Sequence, residues 1–562
     1  MNLKLKEQLL KYCYYFSLGC TFLLLAFYCF IFIQYSTNAP YFDDFFWGFT
    51  FLDEYIATDS IFEKLRLIFQ QHAQHRIAYF RLFIVGHYHL LGTVNFKNLV
   101  IIGNLSHVVT FLVIAYLLWQ KKSLRLLVFP IALIFFQFQF YQNIVCTYGF
   151  PNMAVYMWAI SAFYCLTLAT NRAFYLMLIF AIMSVFSNGN GILSFPIILY
   201  FLFLQKRTLH LKIASLIFVV FIAVYFTTAD DMAPQLMLSI KRVTYFFKFL
   251  SAAFYTGHKT IELVAAVAIV LFFTVKFLID SYQIIFKNLP GSNPQIWVFS
   301  SSVLIWIIGT ALSVAVYRGS SNIDIPNWYF NYSVLLIVFA TIFVLIQFKN
   351  KYLKALFLMG LMVYSSTNYL KNFRIMLPTI QVFHSNLKAD MINFHNNQKW
   401  SFLLTQVSYP MYKKFEVLSN KFYDKGIYKP IIQENRLLEM PKEEDLKKGN
   451  FKYKLTASGE HQIGFEAARN KLENSRIKSQ FGFIKSTANI YYFGVMNPIN
   501  PSCSEMLSNL KLFGGNSYYV IDKTYFDIAI QKGEYQFGMA IIDEKDQLQW
   551  YISDQKVKIE NY

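Results

Sequence analysis

Apolar stretches long enough to cross a lipid bilayer recur through the first two thirds of this chain, and nothing else in the sequence constrains its fold as tightly. A hydrocarbon core about 30 Å thick takes about 20 helical residues to span, and because lipid offers no partner for a bare amide, such stretches fold as helices. They fall near residues 12–34, 95–119, 124–142, 153–170, 173–187, 191–204, 213–228, 261–278, 296–316, 332–347 and 353–370. The pattern predicts an α-helical polytopic membrane protein with about eleven transmembrane helices. The short stretches 173–187 and 191–204 are joined by SNGNG and also fit a re-entrant hairpin that leaves the outer topology unchanged.

Composition agrees. The 562 residues are 56% hydrophobic and 15% charged, which is more apolar surface than one soluble core needs. A formal net charge of +19 does not point to nucleic acid, because there is no zinc finger, RNP-like motif or long basic tail. The basic residues instead cluster after every second stretch: Lys121, Lys122 and Arg125; Arg172; Lys206, Arg207 and Lys212; Lys287; Lys349, Lys351 and Lys354. This positive-inside alternation puts the amino terminus in the cytoplasm and everything after Leu370 outside it. The first stretch follows Lys4, Lys6 and Lys11 and is long enough to stay as an anchor, and Pro40 after Ala39 disfavours cleavage as a signal peptide. The six cysteines show no CxxC or CxxH spacing and predict neither a disulfide framework nor a metal site.

Three parts follow from these patterns: a membrane domain over 1–370 with a long first outer loop at 35–94, a helical extracytoplasmic linker region over 371–448, and a soluble, sandwich-like β-rich domain over 449–562. Strand-like alternation in FKYKLTA, HQIGFEA, IYYFGVM, YFDIAI and YQFGMAII marks the last. Within the first loop, Ile61, Phe62, Leu65, Ile68 and Phe69 recur at helical spacing opposite Glu63, Lys64 and Arg66, as in an amphipathic helix on a membrane surface. A second helix is predicted over 77–91. Residues 236–250 set Lys241, Arg242 and Lys248 among Phe246, Phe247 and Phe249, which describes either a basic interfacial helix for an anionic lipid headgroup or a connector resting on the bilayer.

The chemistry concentrates in two outer loops. APYFDDFFWGF places Asp43 and Asp44 just beyond the first span amid aromatics, where partial desolvation raises carboxylate basicity and suits a general base or a metal ligand; adjacent aspartates also serve as plain helix caps. QQHAQHRIAYFRL brings His72, His75, Arg76 and Arg81 into one stretch able to hold a phosphate or to anchor the surface helix. Arg318 follows a late span, and Asp324, Trp328 and Tyr329 precede the next. An arginine on the outer side works against the orientation rule and calls for an anionic partner, either a substrate phosphate or Asp324.

Together these features resemble the bacterial membrane glycosyltransferases of the GT-C superfamily, which use lipid-linked sugars to decorate O-antigen and other envelope glycans. The shared features are a long outer loop opening with an acidic pair, an xHxxHRI-type stretch, and a late Arg before a Tyr-containing motif. The resemblance implies a bacterial inner-membrane location and a polyprenyl-phosphate-linked sugar donor. It implies Asp43 or Asp44 as the catalytic or metal-associated acid, His72, His75 and Arg76 near the donor phosphate, and Arg318 with Tyr329 closing the site. Gln74 stands where similar proteins often carry a carboxylate, and Trp328 where they often carry an arginine. No cofactor is called for, and a divalent metal is left open with Asp43 and Asp44 as its candidate ligands. The expected reaction is inverting transfer of a monosaccharide to an envelope glycan or lipid-linked acceptor; a lipid-linked glycan polymerase or ligase and a non-enzymatic flippase are the rival readings.

Overall fold

A computed structural model describes residues 3–559, apart from 73–74, 228–238, 255–256, 288–292, 319–323, 401, 403–407, 456–460, 467–476, 496–516, 522–529, 532 and 544. The expectations at Gln74, at residues 236–238 and over most of YFDIAI lie outside the described residues. The chain divides into two compact units, one of Met1–Gln34, Thr58–Phe83 and Leu99–Phe373, the other of Tyr35–Ala57, Ile84–Asn98 and Arg374–Tyr562.

In the first unit the apolar stretches fold as helices. Among the described residues five are long and apolar enough to cross a membrane: Leu10–Tyr35, Phe96–Gln120, Lys259–Lys287, Pro294–Arg318 and Asn327–Gln347. The helices Asn171–Val185, Gly189–Leu204 and Thr208–Ala223 are apolar but shorter. The stretch expected at 124–142 is not one helix. A 3-10 turn over Lys122–Leu127 leads into a helix of only 8 residues, Val128–Phe135, about 12 Å long at 1.5 Å per residue. Beyond it Gln137 is fully buried and its Oε1 accepts hydrogen bonds from Asn368 and Asn372, each at 3.2 Å, so a polar side chain is engaged where a continuous apolar helix was expected. The turn at SNGNG depends on Gly191, because a Cβ there would meet the Ser184 carbonyl oxygen at 2.0 Å.

The stretch expected at 353–370 is the start of a helix of 47 residues, Lys351–Asn397, and the boundary between the units, at Phe373/Arg374, falls inside it. Residues 374–448 fall in the second unit with the β-rich part and with Tyr35–Ala57 and Ile84–Asn98, while 371–373 fall in the first.

The second unit has eight described strands: β1 (Leu446–Lys448), β2 (Asn450–Leu455), β3 (His461–Glu466), β4 (Ile477–Lys485), β5 (Ile490–Gly494), β6 (Ser517–Ile521), β7 (Gly533–Asp543) and β8 (Leu548–Ile559). They form a five-stranded sheet, β1-β8-β7-β4-β5, and a three-stranded sheet, β2-β3-β6. Alternating residues of β5 serve two cores. Tyr491 and Phe493 pack with Ile463 and Phe465 of the smaller sheet, whereas Ile490 and Tyr492 pack with Ala389 and Ile392 of the long helix. The result is three layers, helix on sheet on sheet, and the inner sheet is apolar on both faces for that reason.

Candidate functional site

The histidine–arginine stretch closes a helix. Ile61–Phe69 starts at Ser60, whose hydroxyl accepts the Glu63 N–H, and the last carbonyls of such a helix need partners from outside it. Arg76 donates to Phe69 O at 2.7 Å and to Tyr225 O at 2.9 Å, with its guanidinium 4.8 Å from the Tyr225 ring centre. Arg81 donates to Leu67 O at 2.8 Å and Gln70 O at 2.6 Å. Both are buried, and charged hydrogen bonds of this kind contribute about 1.5–3 kcal/mol each, so the two arginines cap the helix as basic groups at a carboxyl end should. His72 and His75 exchange backbone hydrogen bonds at 2.8 and 2.9 Å.

His75 shares its surroundings with Arg318. Burial pushes the His75 imidazole down to about 4, with Arg318 and then His72 adding to the effect, and burial with help from Arg81 does the same to His72. Both rings are therefore neutral at pH 7. The His75 Nδ1 is enclosed with no hydrogen-bond partner among the described residues. Arg318, exposed at the end of its helix, lies with its guanidinium 5.5 Å from the centre of the Tyr329 ring. Burial raises the Tyr245 phenol, with Tyr329 adding to that and Arg318 opposing it.

Tyr245 comes from the helix Ile240–Ser251, which starts with Ser239 capping the Arg242 N–H at 3.4 Å. This helix buries Tyr245, Phe249 and Leu250, and Phe249 packs 5.3 Å from Tyr329. Ser333 anchors its far end by donating to Leu250 O at 2.6 Å and accepting the Ala253 N–H at 2.9 Å. Lys241 and Lys248 remain exposed and Arg242 half-buried, so the basic face expected from the sequence is there, beside Arg318 and Tyr329.

A set of neutral amides that sequence reasoning passed over adjoins this group. Asn188 Nδ2 donates to Asn152 Oδ1 at 3.0 Å, Asn152 to Asn143 Oδ1 at 3.4 Å, and Asn143 to Trp328 O at 2.8 Å. Asn190, from the SNGNG turn, donates to Thr310 Oγ1 at 3.2 Å and to the Tyr332 hydroxyl at 3.1 Å. The Trp328 ring stacks on Tyr148 at 5.5 Å.

Asp43 and Asp44 fold within the second unit, and their environments differ. Asp44 is 1% exposed, and its Oδ2 accepts the Tyr41 N–H at 2.8 Å. Its own N–H donates to Tyr41 O at 3.1 Å, so this carboxylate closes the turn from which it springs. Aromatic rings surround that turn: Phe45 stacks on Phe415 at 4.7 Å, and Tyr41 meets Phe402 at 5.8 Å. Asp390, also buried, accepts the Phe402 N–H at 2.7 Å, and burial, then Asp390, then Asp44 hold the Tyr428 phenol well above its usual range. Asp43 is half-buried and follows Phe42, which has φ of +45°, a left-handed conformation that costs a bulky residue about 1–2 kcal/mol.

Lys276, which reads from sequence as snorkelling toward the cytoplasm, is ion-paired with Asp280 one turn on, and Asp280 also accepts the Trp297 indole N–H at 3.0 Å. Among the described residues no group of three or more His, Cys, Asp or Glu could hold a metal ion.

The fold and these clusters define a membrane-embedded helical protein with a β-rich region at its carboxyl end. No family model matches the chain, and neither a curated protein nor a solved structure is significantly similar to it.

Proposed function

We propose that the chain is an inverting GT-C-type glycosyltransferase of about eleven spans, working on the extracytoplasmic side of a bacterial inner membrane with a polyprenyl-phosphate-linked monosaccharide as donor. The observation that carries the reading is the group made by Arg318, Tyr329, Tyr245 and neutral His75 beside the basic helix Ile240–Ser251. A guanidinium, phenol hydroxyls and an imidazole with an unpartnered nitrogen are donors suited to a phosphate, and lysines on the adjoining face suit a lipid headgroup. Arg76 donates through both terminal nitrogens to backbone carbonyls and is read here as a structural group.

Asp43 is the proposed base. Asp44 closes its own turn, and the strained residue before Asp43 is the kind of backbone found where a side chain must be aimed. In the reaction, the acceptor hydroxyl oxygen attacks the anomeric carbon as its proton passes to a carboxylate, and the bond from that carbon to the phosphate oxygen breaks as the lipid phosphate departs.

The test is Asp43→Asn, read as the cell-surface glycan profile at matched protein level. Loss of one glycan residue supports the reading; an unchanged profile removes it. Transport is the second reading, favoured by the Lys276–Asp280 pair inside a helix long enough to span, since intramembrane charges often mark transport paths. Lys276→Met with Asp280→Leu would abolish export under that reading and spare transfer under the first.

A further inference from the structure

Three amide oxygens beside the Arg318–Tyr329 group are enclosed with no hydrogen-bond partner among the described residues: Gln142 Oε1, Asn190 Oδ1 and Asn327 Oδ1. Each such atom costs about 1–3 kcal/mol when left unpaired, so three in one neighbourhood call for an explanation. Asn327 shares a hydrogen bond with Tyr141, the neighbour of Gln142, and the Tyr332 hydroxyl, which accepts from Asn190, belongs to a ring 6.4 Å from that of Tyr329. Trp328, half-buried and braced by Tyr148, lies in the same turn as Asn327 and Tyr329.

We propose that Gln142, Asn190 and Asn327, with Trp328 and Tyr148, form the subsite for an uncharged glycosyl group of the donor. This rests on the reading above, because that reading supplies the adjoining phosphate. Three orphaned acceptors match the O–H donors of a sugar, and an indole face packs against the C–H face of a pyranose. None of Gln142, Asn190, Asn327, Trp328 and Tyr148 carries a charge, and the adjoining cation Arg318 is assigned to the phosphate in the reading above.

The experiment measures binding of four probes to the full-length protein in detergent: farnesyl phosphate, and its glucosyl, aminoarabinosyl and glucuronosyl esters. The glucosyl ester is expected to bind about tenfold more tightly than bare farnesyl phosphate, the equivalent of one to two net hydrogen bonds. Gln142→Ala and Asn327→Ala remove most of that increment and leave bare farnesyl phosphate unchanged. Equal affinity for the bare and glucosyl probes, or preference for a charged sugar, overturns the inference even if neither variant folds. Farnesyl phosphate failing to bind while the glucosyl ester binds would overturn the phosphate reading and keep the sugar subsite; failure of all four probes overturns both.

Discussion

Asn393 and Tyr492 exchange two hydrogen bonds: the asparagine amide donates to the tyrosine carbonyl at 2.8 Å, and its oxygen accepts the tyrosine N–H at 2.7 Å. Tyr492 is the centre of β5, the edge of the five-stranded sheet, and Asn397 and Asn386 continue the pattern to Ile490 O and Gly494 N. A row of asparagines on one helix thus occupies the strand edge that would otherwise pair with another chain.

Asn393→Leu is expected to lose about 2–4 kcal/mol, because it unpairs two buried backbone groups as well as removing two hydrogen bonds. Gly494→Ala should act at the same edge, since a Cβ there would meet the Asn386 backbone N at 2.6 Å. Thermal melting and limited proteolysis of the purified protein check both, and wild-type behaviour in the two variants would contradict the account.

Asp43→Asn and Asp44→Asn should separate chemistry from folding. The first is expected to lower transfer by at least about 100-fold at normal protein level, the range that a general base supplies. The second weakens the Tyr41 turn and is read first as reduced protein accumulation and a lower melting temperature.

Arginine substitutions divide in the same way. Arg318→Ala should weaken farnesyl phosphate binding with little change in melting, because the side chain is exposed. Arg76→Ala strips a cap from Ile61–Phe69 and should cost about 2–4 kcal/mol, visible in the melt before any binding assay.

The two outer-loop histidines set a pH dependence. Each is held near 4 in the folded chain against 6.5 ordinarily, so below 6.5 the unfolded state takes up protons that the folded state refuses. Their contribution is complete above pH 6.5, declines as pH falls through that value, and stops declining below about 4. Melting temperatures from pH 7.5 to pH 4 test this, and His72→Gln with His75→Gln should flatten the slope.

Legibility in the sequence followed the range of the interactions. Helices at 61–69 and 78–91 were readable because periodicity is local. The break after Phe135 was hidden because an apolar run has no sign for where Gln137 will find Asn368 and Asn372. Alternation revealed the strands but not the helix that covers them, since the asparagines of Lys351–Asn397 look like ordinary polar positions until β5 is beside them. The amides at 143, 152, 188, 190 and 327 were equally silent, coming from separate loops and carrying no charge or spacing to announce them.

The capping of Ile61–Phe69 by Arg76 and Arg81 changes what the HxxHR letters mean. A chain that had lost every trace of activity would still need them to terminate that helix. Finding those letters in another protein would therefore report a common architecture, and only the state of positions such as 43 and 318 would say whether anything is catalysed there.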